Sequence, residues 1–480
     1  MINKIFKRYT AFPPAVKAAI WFTIASFFQK GISFITVPIF TRLLSVEQYG
    51  QVVVFQSWLS IITIFATLSL WAGVFNNGMV KYENDRETFI SALQGLSTTL
   101  TAVCLIIYLL FLDFWNSIFG LPTFLVLVMF TQLIVAPALS YWSAKQRFDY
   151  QYKKLIIITL AMSIASPLFG VFAVLATEDK GVARILSVAL VQIGVCSVFY
   201  IYNATKGKQF FHRNYWKYAL GFNLPLIPHY LSGVVLNQSD KIMIDQFSGT
   251  DKAGIYSVAY SAAMLLTILI TSVNSSFTPW TYKKLKNKCY SEIEDISKFL
   301  LALIGGLILI LVAFAPEIVG VLAPVEYYEA IWVIPPIAVS VFFIFLYSMF
   351  ANIEFYFEEN KFIMVASIIG AGLNILLNFF LIPIFGYIAA GFTTLFCYIV
   401  FSFSHYIFMR KVCKKHINGE KIYNFGFIVV FSLGMILTSM LLMTVYSYVV
   451  IRYLVILIIF LTAVICRKHI GSKIKQIREK

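Results

Sequence analysis

KKLIIITLAMSIASPLFGVFAVLATEDKGVARILSVALVQIGVCSVFYIYNATKGK, residues 153–208, holds two long apolar runs, 155–176 and 182–202, joined by a short polar turn and flanked by lysines. A helix rising about 1.5 Å per residue needs about 20 apolar residues to cross a hydrocarbon layer. Each run meets that length, so the stretch reads as a helix out, a turn at 177–181 and a helix back. The same window applied outward gives further spans near 16–40, 51–73, 89–112, 121–141, 218–247, 253–279, 296–315, 330–353, 362–382, 388–409, 423–444 and 449–466. The chain reads as an all-α integral membrane protein with about fourteen transmembrane helices. Residues 316–328 read as a short exterior segment rather than a crossing. The basic, then apolar, start resembles a signal peptide but runs on without a small-residue cleavage site, so a retained first helix is expected.

Composition agrees. Of 480 residues 60% are hydrophobic and only 12% charged, more apolar surface than one soluble core can hide. The net charge of +16 does not indicate nucleic acid, because the basic residues form short clusters between apolar runs. Lys145, Arg147, Lys153 and Lys154 form one cluster, Lys206, Lys208, Arg213 and Lys217 a second, and Lys283, Lys284, Lys286 and Lys288 a third. Arg410, Lys411, Lys414, Lys415 and the tail from Arg467 complete the set. The positive-inside rule puts these segments and both termini in the cytoplasm, and 177–181, 248–252 and 316–328 outside. The six cysteines are scattered and suggest neither a disulfide framework nor a zinc site. No connecting segment exceeds roughly twenty residues, so a membrane polymerase or ligase, which needs room for chemistry outside the bilayer, is disfavoured. Function is expected between the helices, without catalysis and without a cofactor.

RLLSVEQYGQVVVF at 42–55 resembles DQFSGTDKAGIYSVAY at 245–260, with Glu47 matching Asp251 and Gly50 matching Gly254. Six helices separate the copies, so the halves insert the same way up. The expected organisation is a six-helix lobe at 1–205, a second at 206–416, and two additional helices with a basic tail at 417–480.

Polar residues inside spans carry the functional signal, because they are expensive to keep there. Lys30 lies roughly 20 Å from Lys17 and 18 Å from Arg42 along the first helix, near the midplane. Thr23, Ser26, Lys30 and Ser33 make one polar stripe, suited to a hydrated cavity; a buried ion pair is the other reading. Arg42 can clamp a phosphate with its planar guanidinium or anchor the helix at the outer interface. The seventh span is interrupted by Pro225 and Pro228, which should kink it, and by Asn237, Gln238, Asp240 and Lys241. Counting from helix ends puts Asp240, Asn374, Asn378 and Thr394 at one depth, roughly 8–14 Å below the outer surface. A carboxylate, two amide oxygens and a hydroxyl suit a hard cation such as sodium, and Asp240 alone could carry a proton. The alternative is that Asp240 pairs with a lysine while the asparagines tie helices together.

KGISFITVPIFTRLLSVEQYG at 30–50, SDKIMIDQFSGTDKAGIYSVAY at 239–260 and LNILLNFFLIPIFGYIAAGFTT at 373–394 resemble the polysaccharide flippases, or O-antigen (Wzx-type) translocases, of the multidrug/oligosaccharidyl-lipid/polysaccharide exporter superfamily. Ala389-Ala390-Gly391 departs from the usual Gly-Ala-Ala, with an effect expected on packing only. The resemblance implies two lobes in a V around a cationic cavity. It also implies alternating access in the bacterial cytoplasmic membrane, with undecaprenyl-diphosphate-linked oligosaccharide as cargo for O-antigen or capsule. Lys30, Arg42 and Lys241 are then candidate contacts to the diphosphate, and Asp240, Asn374, Asn378 and Thr394 candidates for Na+ or H+ coupling. Membrane lipids, a polysaccharide polymerase and a chain-length regulator are the implied partners. A cation-coupled multidrug or small-molecule exporter of the same superfamily is the competing reading.

Overall fold

The computed structural model describes residues 13–71, 73–359 and 361–465. Cys466 and the basic tail from Arg467 lie outside the described residues. The chain divides into two compact units, 1–238 and 239–480.

The first unit begins with α1 (Pro14–Leu43), whose starting proline needs no helical N–H at that position. After Ser45 comes α2 (Val46–Thr67); the Ser45 side chain accepts from the Gln48 N–H at 3.2 Å while Gln48 Oε1 accepts from the Ser45 N–H at 3.1 Å. That reciprocal pair satisfies two donors the helix would otherwise leave open. Then follow α3 (Gly73–Lys81), α4 (Arg86–Leu110), α5 (Leu112–Phe119), α6 (Thr123–Phe148), α7 (Tyr152–Ala176) and α8 (Lys180–Gly207). Helices α2, α4, α6 and α8 pack on one another, and α7 links α8 to α1. Their core gathers Phe40, Phe55, Tyr108, Phe119, Met129, Phe130 and Val174.

The expected seventh span is two helices, α9 (Arg213–Asn223) and α10 (Ile227–Ser248), separated by a 3-10 turn over Leu224–Leu226. Pro225 sits in that turn, where its missing N–H interrupts the helical ladder, so the expected kink is a break just before Pro228. The division between the units falls within α10. This helix closes at Gly249, whose φ of +104° a side chain would strain, and whose N–H bonds to Ile244 O at 3.1 Å.

In the second unit α11 (Thr250–Lys286) is followed by α12 (Tyr290–Ala313) and α13 (Ala315–Leu322). A 3-10 segment over Val325–Trp332 leads to α14 (Ile334–Tyr356), α15 (Lys361–Phe385), α16 (Ile388–His416), α17 (Phe425–Thr444) and α18 (Val449–Ile465). The region read as a short exterior segment is therefore α13 and a 3-10 turn, neither long enough to cross a bilayer. Helix α14 is largely apolar, with Ser340, Asn352 and Glu354 as buried polar exceptions, and is enclosed by α11, α12, α16 and α17, the arrangement such a sequence requires.

The two copies of the internal repeat take the same local form. Gly50 and Gly254 are both buried one turn inside a helix that starts at Val46 in one copy and Thr250 in the other. Thirteen helical spans among the described residues are long and apolar enough to cross a membrane, one of them Arg213–Ser248 counted across the break between α9 and α10, and Val449–Ile458 is apolar but shorter. The protein is a multi-pass membrane protein of about fourteen helices.

Candidate functional site

Helix α10 delivers Asp240 into the second unit, where its carboxylate is 1% exposed. Asn378 Nδ2 donates to Oδ1 at 2.7 Å, and the Tyr256 hydroxyl and Thr394 Oγ1 donate to Oδ2 at 2.6 and 2.7 Å. Asn374 extends the network: its Oδ1 accepts from Ser239 Oγ at 3.0 Å, and its Nδ2 reaches Thr394 Oγ1 at 3.3 Å. Thr393 donates to Asn378 Oδ1 and also to Ala390 O at 2.9 Å. The four residues placed at one depth by counting along helices are thus in one cluster, contributed by α10, α15 and α16.

Tyr256 of α11 is the member that sequence reasoning missed. A tyrosine in an apolar helix reads as a ring for packing, and only the structure shows its hydroxyl on the carboxylate. The signal available was its place in the second repeat, shortly after the turn at Gly249.

One ionisable carboxylate surrounded by neutral oxygens sets the chemistry. Among the described residues no group of three or more His, Cys, Asp or Glu side chains could hold a metal ion. A divalent cation would meet too little negative charge here, whereas a monovalent hard cation matches the single carboxylate. The lysine of the alternative reading is also at hand: Lys241 interacts electrostatically with Asp240, beside the three hydrogen-bond donors. Lys241, adjacent on α10 and 9% exposed, sets its ammonium 4.6 Å from the centre of the Tyr260 ring.

In the first unit Thr23, Ser26, Lys30 and Ser33 are all exposed along one line of α1. Arg42 is exposed at the end of the same helix and donates to Pro38 O at 2.9 Å. Lys30 and Arg42 are not brought together; they stand roughly 18 Å apart along α1.

The model of the family described as "Polysaccharide biosynthesis protein" matches residues 15–285. The chain belongs to that family. It is 25% identical over 372 residues to a protein of the Lsg locus of Haemophilus influenzae, covering 74% of this chain and 88% of that one. The lipid II flippase MurJ in an inward closed conformation shares the fold with a TM-score of 0.69 at 15% identity, over 94% of this chain and 100% of that chain. An inward-facing multidrug resistance MATE family transporter of the MOP superfamily matches with a TM-score of 0.61 at 14% identity, over 83% of this chain and 99% of that one. This member of the polysaccharide biosynthesis family therefore has the fold of those transporters.

Proposed function

We propose that the protein flips undecaprenyl-diphosphate-linked oligosaccharide units across the bacterial cytoplasmic membrane by alternating access, for assembly of a surface polysaccharide such as O-antigen or capsule. The observation that carries the reading is the exposed polar and cationic line of α1, in a member of a polysaccharide biosynthesis family. A diphosphate and its sugars cannot cross hydrocarbon unaided, so their carrier must offer a wet path and compensating positive charge. Lys30 acts as a point charge at mid-helix and Arg42 as a planar clamp at the helix end, so the two serve the diphosphate at successive depths.

The Asp240 cluster is the coupling site. A sodium ion or a proton binding at Asp240, Asn374, Asn378 and Thr394 would tie cargo movement to an ion gradient. Both termini and the basic connecting segments face the cytoplasm in this reading, and a polysaccharide polymerase and chain-length regulator act on the outer side once the transported unit has crossed.

The test is reconstitution into proteoliposomes with a fluorescent undecaprenyl-diphosphate oligosaccharide in one leaflet, read by accessibility to an impermeant quencher or lectin. Translocation by the wild type and not by empty vesicles is the expected result. Absence of translocation, together with drug efflux in cells expressing the protein, would establish the exporter reading in its place.

A further inference from the structure

A second polar pair lies deep in the second unit, and the cation cluster does not use it. His405 of α16 and Glu354 of α14 are both fully buried. His405 Nδ1 lies 3.0 Å from each oxygen of the Glu354 carboxylate. The imidazole is walled by aromatic rings: Tyr347 at 5.6 Å, Phe362 at 5.3 Å and Phe401 at 4.6 Å between centroids. Its other nitrogen, Nε2, is buried with no hydrogen-bond partner among the described residues. Along α16 the pair stands roughly 16 Å from Thr394, so it is separate from the Asp240 cluster.

We propose that Glu354 and His405 form a proton-binding site, distinct from the Asp240 cluster, that loads and unloads one proton as water gains and loses access to it during the transport cycle. The geometry supplies the reasons. With Nδ1–H directed at the carboxylate, the proton that comes and goes is the one on Nε2. Loaded, the imidazolium and carboxylate sum to zero charge; unloaded, the pair carries a net charge of −1. A net charge enclosed by aromatic rings is expensive, so occupancy follows hydration. Nε2 leaves a further mark. As an N–H or as a lone pair it is unsatisfied here, a penalty that water would relieve. The enclosed conformation is thus poised toward one in which water reaches this ring.

The packed helices carry other titratable groups: Tyr398 and Tyr406 on α16 itself, and in the first turns of α12 Tyr290, Asp295, Glu292 held by Lys284 at 2.7 Å and Glu294 held by Lys298 at 2.5 Å. Tyr347 faces the pair from α14. Helix α15 presents Phe362 and, beyond Lys361 at its first position, carries no ionisable side chain; α17 carries none. Helix α11 approaches α14 through Asn274, which accepts from Asn352 at 3.0 Å, and through Tyr282 beside Tyr356. At the exposed end of α14, Glu359 is held by Lys415 at 2.5 Å and by His416 at 3.2 Å, a separate group that titrates in water.

The decisive measurement uses the full chain in lipid nanodiscs, 15N-labelled at its five histidines and free of cargo. H405Q identifies the His405 resonances; if that variant does not fold, E354Q identifies them as those it moves. Reversible titration of His405 between about pH 5 and 9, with a midpoint displaced at least tenfold in proton concentration by E354Q, is the expected result. A ring fixed in one protonation state over that range, or a midpoint indifferent to E354Q, overturns the site. In proteoliposomes, an imposed pH gradient should speed translocation by the wild type and not by E354Q, while a sodium gradient acts on both; an unchanged pH response in E354Q overturns the coupling. Were the cargo reading wrong, no gradient would drive flipping in any variant, and the cargo-free titration would still decide the proton site.

Discussion

Replacing Asp240 by asparagine removes the single negative charge of the buried cluster while keeping its shape. At an ion–oxygen distance of about 2.4 Å and an effective dielectric of about 20, the attraction between a bound monovalent cation and the carboxylate is about 7 kcal/mol. Desolvation of both charges consumes the larger part, and a residue of about 2.7 kcal/mol is a hundredfold in affinity. D240N should therefore bind sodium at least a hundredfold more weakly. Its fold should survive, since an asparagine oxygen accepts from Asn378 and the Tyr256 and Thr394 hydroxyls can turn to accept from the new amide. D240A differs: three donors now directed at the carboxylate lose their acceptor, at about 1–2 kcal/mol each, or about 3–6 kcal/mol in all. Thermal unfolding in detergent over a sodium series, against a potassium control, measures both effects. The wild-type midpoint should rise with sodium, that of D240N should not, and D240A should melt lower at every concentration. A D240N protein that keeps the wild-type rise would refute the cation site, and a D240A protein as stable as the wild type would refute the hydrogen-bond reckoning.

At Lys30, K30A should lower translocation at near-normal membrane abundance, because the side chain is exposed and its loss opens no cavity, and K30R should retain more activity than K30A. Full activity in both K30A and K30E would remove the charge from the mechanism; lost abundance would point to a structural ion pair. In a cysteine-free background, T177C should react with an impermeant thiol reagent in intact cells and K206C should not, and the reverse would invert the topology. Between helices, hydrogen bonds from Lys252 at 2.8 Å and Tyr387 at 3.0 Å hold the Glu329 carboxyl below the usual carboxylate range. A lowered folded-state value stabilises above the unfolded value of about 4.3 and is lost as pH falls through the folded one. Glu329 is more than half exposed, so E329Q should cost under about 1 kcal/mol at neutral pH and converge with the wild type in acid; a pH-independent gap counts against the bond.

The legible features were those the bilayer enforces. Apolar runs of the right length located the helices, and Pro225 located the break before α10. Asp240, Asn374, Asn378 and Thr394 could be set at one depth because a helix advances by a constant rise and a polar atom in an apolar span must find a partner. Tyr256 was hidden because its ring satisfies the apolar pattern that its hydroxyl breaks. Glu354 was hidden for a different reason: it falls one residue beyond the apolar window ending at 353, where a carboxylate reads as solvated. Helix α11 runs to Lys286, past the expected end at 279, because lysines propagate a helix as well as apolar residues do once it leaves the hydrocarbon.

Helix α14 is walled in by protein, and the order of synthesis makes that a matter of timing. Its neighbours α11 and α12 precede it in the chain, while α16 and α17 follow it. When α14 first leaves the insertion machinery, one flank has its partners and the other meets only lipid, with Glu354 on α14 still lacking His405. A nascent chain ending between α14 and α16 thus carries an unneutralised carboxylate into the bilayer. Chains arrested there should be recognised and degraded by membrane quality control, while those extended through His416 should persist.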